Sequence, residues 1–142
     1  MSMKKWITFI LVSVCVLNLA ACGSAAGDGE DGIRRVIGNS ARYDETEIEE
    51  AFRVVEEVFE ETLPGCTLTE LRYDAEVEER FEEEMAAYEA ERGQELIIVL
   101  SDFRTDENGG DGSLESNAAY TDWQWYLVRD GDADWEVFDW GY

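Results

Sequence analysis

The sequence predicts an α+β domain in which an antiparallel four-stranded sheet packs on a long N-terminal helix, with a second helix at the periphery. Three stretches carry that reading. Asp44 to Leu63 repeats apolar residues at helical spacing, and Leu96 to Leu100 is an unbroken aliphatic run. Trp123 to Tyr142 holds two aromatic runs around a turn rich in Gly and Asp. The resulting order of helix, strand, helix and three strands segregates helices from an antiparallel sheet.

The chain opens outside that domain. Lys4 and Lys5 precede Trp6 to Ala21, a stretch without a charged residue. It is shorter than the roughly 20 apolar residues of a membrane span. A positive start, an apolar middle and small residues at the end fit a secretory signal over residues 1–21. Leu19-Ala20-Ala21-Cys22 resembles the lipobox of bacterial lipoproteins, a leucine and two small residues ahead of a cysteine. The resemblance implies cleavage between Ala21 and Cys22 and a diacylglyceryl group on the Cys22 thiol. It also implies a protein held in the cell membrane and facing the outside. Two acyl chains suit stable residence, since each buried methylene contributes about 0.8 kcal/mol and one chain holds only marginally.

Charge narrows the partners. The 142 residues include 34 acidic side chains against 11 Lys and Arg, a formal net charge of −23. Both lysines precede Cys22 and every acidic residue follows it. Such a chain is repelled by nucleic acid and by anionic membrane surfaces, so membrane association falls to the lipid. There is no histidine, which removes the commonest general base and metal ligand. With Cys15 in the signal and Cys22 acylated, Cys66 is left alone, and the domain depends on its apolar core instead of a disulfide. No stretch calls for a cofactor.

Residues 22–41 read as the lipidated cysteine and a flexible acidic linker, beginning Gly23-Ser24-Ala25-Ala26-Gly27. If flexible throughout, it reaches roughly 25 Å. Ile33 to Ile37 interrupts it with an apolar and basic patch able to dock on the domain, which is assigned to 42–142.

The first helix shows Ile48, Ala51, Phe52, Val55, Val58, Phe59 and Leu63 on one face. Asp44 with Glu47, or Thr46 with Glu49, supplies a capping box, and Pro64-Gly65 ends the helix. Cys66 to Asp74 is a strand whose alternation sets Leu71 and Tyr73 opposite Cys66 and Leu68. A thinner stripe of Val77, Phe81, Met85 and Tyr88 marks the second helix, about Ala75 to Arg92, stopped by Gly93. Leu96 to Leu100 predicts a central strand buried on both faces, continuing to Thr105. Asp106 to Asn117 is a polar loop. In the closing hairpin, Trp123, Trp125 and Leu127 share a face opposite Gln124, Tyr126 and Val128. On the return strand Trp135 and Val137 oppose Phe138, Trp140 and Tyr142.

The element order resembles cystatin-like and ketosteroid-isomerase-like α+β rolls. Gly65–Asp74, Gly109–Arg129 and Trp140–Tyr142 are similar to segments of a group of small lipoproteins from Gram-positive anaerobes. That resemblance implies location and fold and transfers no catalytic residue.

Three functional readings follow. The leading one is a non-enzymatic extracytoplasmic module whose aromatic hairpin, through Trp123, Trp125, Tyr126, Phe138 and Trp140, engages a protein, peptide or envelope polymer. A second is a small-molecule-binding roll, in one version an enzyme with Tyr126 and Asp139 or Asp102 as acid–base groups around an enclosed cavity. A third is a calcium-stabilised module in which Asp106, Asn108, Asp111, Ser113 and Glu115 offer oxygen ligands, though not at EF-hand spacing. Cys66 reads as a small buried residue, because no histidine exists to activate it.

Overall fold

The computed structural model describes residues 25–28 and 32–142; the signal, Ala21 and Cys22 lie outside the described residues. Its elements are β1 (Ala25–Asp28), β2 (Arg34–Ile37), α1 (Glu45–Thr62), β3 (Cys66–Tyr73), α2 (Ala75–Arg92), β4 (Glu95–Thr105), β5 (Ala119–Arg129) and β6 (Glu136–Gly141). The strands lie in one sheet in chain order. The α+β class holds, but the sheet is mixed. β3 to β6 pair antiparallel as expected, whereas β2 pairs parallel with β3 and carries β1 at its outer edge. The folded sheet therefore begins before residue 42.

The Ile33 to Ile37 patch explains the extra strand. β3 offers a free edge, Ile33 and Ile37 pack against the core, and Arg34 and Arg35 pair with Glu70 and with Glu56 of α1. Composition marked this stretch as linker because four residues are too few to show a period.

Asp44 caps α1: its Oδ1 accepts from Glu47 N at 2.9 Å, and Glu47 Oε2 accepts from Asp44 N at 2.9 Å. Leu63 ends the helix ahead of a turn in which Gly65 takes φ 77°. Asp74 caps α2, and Gly93 stops it in the left-handed region.

Successive strand residues point to opposite faces, and the aromatic contacts show what covers each. Trp125 lies 6.2 Å from Phe59 of α1, while its neighbour Tyr126 lies 6.1 Å from Phe138, which stacks on Tyr88 of α2. The helices thus sit on opposite faces of the sheet. This corrects the expectation that α2 is peripheral: its stripe of Val77, Phe81 and Met85 is buried and closes the second face. Leu96 to Leu100 are accordingly buried on both sides, as the unbroken run predicts.

The sheet has three register shifts, one of them in the β4–β5 pair between Ser101 and Phe103, and the other two overturn the expected alternation. The β3–β4 register shifts between Leu68 and Glu70, where the Thr69 hydroxyl donates to the Asp102 carbonyl at 3.0 Å. Leu68 then opposes Phe103 while Leu71 opposes Ser101, so Leu68 joins Leu71 on the core side. A second shift places Val137 opposite Leu127 and Asp139 opposite Tyr126. Trp140 therefore pairs with Trp125 and shares its face, whereas Phe138 turns to the α2 face. The aromatic residues of β6 straddle the sheet edge.

Candidate functional site

The predicted surface residues separate by burial. Trp125 is fully buried, its indole N–H donating to Ser101 Oγ at 2.8 Å, so it belongs to the core and not to a docking surface. Trp123 is half-buried among Phe103, Tyr120 and Tyr142. Phe138 and Trp140 remain 47% and 42% exposed on the edge strand. Tyr126 is half-buried and meets Phe138 edge-on.

Where β6 meets α2 the surface opens into a cleft of about 310 Å³. Tyr88, Tyr126 and Phe138 present their rings there. Phe138 stacks on Tyr88 with centroids 5.5 Å apart, and meets Tyr126 edge-on. Trp140, Gly141 and Tyr142 form the far wall, and Glu84 and Asp139 supply carboxylates. Each part has a local cause. Glu84 and Tyr88 are four residues apart on α2 and so share one helix face. Asp139 is the register partner of Tyr126 because of the β6 bulge. The Tyr126 hydroxyl donates to Gln124 Oε1 at 2.6 Å. Burial, and then the Glu84 carboxylate, hold this phenol above its usual range, so it stays protonated at neutral pH.

Tyr126 and Asp139, the suggested acid–base pair, are thus register neighbours. Asp102 is elsewhere: its carboxylate accepts from Asp122 N at 3.0 Å. Beneath α1 the space expected for an enclosed cavity is filled by Phe52, Val55 and Phe59 against Val99, Phe103 and Trp125.

In the acidic loop, Asp106 Oδ1 accepts from the N–H groups of Asn108 and Gly110, and Asp111 Oδ1 from that of Ser113. These are Asx turns, so the same oxygens offered as calcium ligands hold the loop's own backbone. The Glu115 N–H bonds the Tyr120 hydroxyl. Among the described residues no three His, Cys, Asp or Glu side chains gather as a metal site would require. Cys66 is a free thiol raised by burial and by Asp106 and Asp111, which suits a packing residue better than a nucleophile.

Sequence reasoning missed two polar centres. Glu78, only 8% exposed, accepts from Ser40 Oγ (2.6 Å), Ala41 N (2.9 Å) and the Tyr73 hydroxyl (2.9 Å). Burial opposes its ionisation, but these bonds outweigh burial and bring its pKa below the usual carboxylate value. Arg129 bridges Glu95 and Glu47 and lies 4.2 Å over the Trp135 ring. No local signal marks either residue, since all their hydrogen-bond partners but Tyr73 are more than 30 residues away.

The fold and the cleft define a helix–sheet–helix domain with an open, aromatic and acidic groove at its edge strand. No family model, curated protein or solved structure matches the chain, so the functional reading rests on its own residues. Among the described residues no helix is long and apolar enough to cross a membrane.

Proposed function

We propose that this chain is a lipid-anchored extracytoplasmic binding module, non-enzymatic, that engages a component of the cell envelope through the cleft at β6. The exposure of Phe138 and Trp140 carries the reading. Buried aromatic rings elsewhere in the domain are explained by packing, whereas these two leave apolar area in water on an edge strand. Their neighbours make the area concave, which favours a ligand over a chance solvent contact. The lipobox resemblance supports the location, and the filled interior beneath α1 leaves the surface as the place for a ligand.

Two measurements test this. Labelled fatty acid fed to growing cells is expected to mark the wild-type chain and not Cys22→Ser; label on the variant refutes the anchor. Chemical cross-linking of intact envelopes is expected to give adducts that Phe138→Ser with Trp140→Ser abolishes. Identical adducts from that variant refute the cleft as the contact.

A further inference from the structure

We infer that the cleft binds the ammonium group of an organic cation, an inference that rests on the binding reading above and names its ligand class. Phe138 stacks on Tyr88 and meets Tyr126 edge-on, and all three rings line a groove. Aromatic faces carry negative quadrupole density and attract a cation placed within about 6 Å of the centroid. Glu84 and Asp139 add formal negative charge beside those rings.

Neither carboxylate forms an ion pair among the described residues. The nearby guanidinium of Arg80 lies over Phe81 at 4.9 Å and faces Asp122. The groove therefore has both elements of cation recognition, and Arg80, whose charge reaches Tyr126, does not line it.

Other ligand classes fit less well. An anion meets two carboxylates and a chain of net charge −23. A neutral apolar ligand would strip water from Glu84 and Asp139 without replacing it, which is unfavourable. A bare metal ion finds no gathered ligands here. An alkylammonium satisfies the rings through its methyl or methylene groups and the carboxylates through its charge. A volume of about 310 Å³ matches a head group with a short tail. The same chemistry is carried by a quaternary amine and by a lysine side chain, and the test separates them.

The full-length chain in non-ionic detergent is titrated calorimetrically with choline, with N-acetyl-lysine methylamide and with 3,3-dimethylbutan-1-ol, the uncharged isostere of choline. At least one ammonium probe is expected to bind saturably and about tenfold more tightly than the isostere. The preferred probe identifies the cation as quaternary or primary. Phe138→Leu, which keeps apolar volume and removes the ring, is expected to weaken it about three- to tenfold. Glu84→Gln is expected to weaken it by about threefold, while Glu60→Gln on α1 leaves it unchanged. Circular dichroism checks the fold of each variant, and Glu84→Gln alters only a helix surface should Phe138→Leu misfold.

Equal binding of the isostere overturns the inference, as does binding indifferent to both cleft substitutions. Absence of saturable binding by either ammonium probe also overturns it. If the envelope adducts still depend on Phe138 and Trp140 in that case, the binding module stands and only the ligand class falls.

Discussion

Replacing Glu78 by alanine removes the acceptor that ties the segment before α1 to β3 and α2. Three donors converge on it: the Ser40 hydroxyl, the Ala41 amide and the Tyr73 hydroxyl. Tyr73 is fully buried, and burial followed by the Glu78 bond raises its pKa, so it remains a neutral donor with no alternative partner. A buried donor left without an acceptor costs about 1–3 kcal/mol, and bonds to a charged acceptor lie at the upper end. Ser40 and Ala41 sit nearer the surface and recover part of their loss through water. The expected destabilisation is therefore about 3–5 kcal/mol.

Glu78→Gln keeps the shape and an acceptor oxygen, and removes the charge. Its expected loss is about 1 kcal/mol at pH 7. The Glu78 carboxyl is held below the ordinary carboxylate range in the folded state, so its charge contributes stability above that range and loses it as pH falls through the folded pKa. The gap between wild type and Glu78→Gln should thus be full at pH 7 and shrink below about pH 4. Urea unfolding followed by tryptophan fluorescence across that range measures both effects. Glu79→Ala, on the same helix, is the control. A loss below 1 kcal/mol for Glu78→Ala, or one equal to Glu79→Ala, refutes the argument.

Arg129→Ala removes bonds to Glu47 and Glu95 and the cation over Trp135, for an expected loss of about 2–3 kcal/mol by urea unfolding. The loss is smaller than for a fully buried pair because both carboxylates keep access to water. Ser101→Ala leaves the buried Trp125 indole N–H without its acceptor and should cost about 1–3 kcal/mol, whereas Ser113→Ala in the exposed loop should change little. Because Asp106 and Asp111 hold turn amides, EDTA followed by excess calcium should leave the Tm unchanged; a calcium-dependent rise would revive the metal reading.

Both helices and the three long strands were legible in the sequence. Asp44, Gly65 and Gly93 punctuate the helices, and the Leu96 to Leu100 run announces burial on two faces. The candidate site was legible only in part. Phe138, Trp140 and Tyr126 stood out as aromatics, but Trp125 carried the same signal and is core. Alternation also put Phe138 and Trp140 on one face, whereas a bulge in β6 sends them to opposite faces.

Local chemistry by itself determined the caps, the periods, the turns and the acidic charge, because each depends on residues within a few positions of one another. The tertiary structure alone decided the rest. It joined Arg34–Ile37 to the sheet beside a strand more than 30 residues later, placed the helices on opposite faces and brought Glu84 and Tyr88 beside Phe138. Those outcomes depend on register and on which free edge or apolar face remains to be covered, and neither is encoded within one segment.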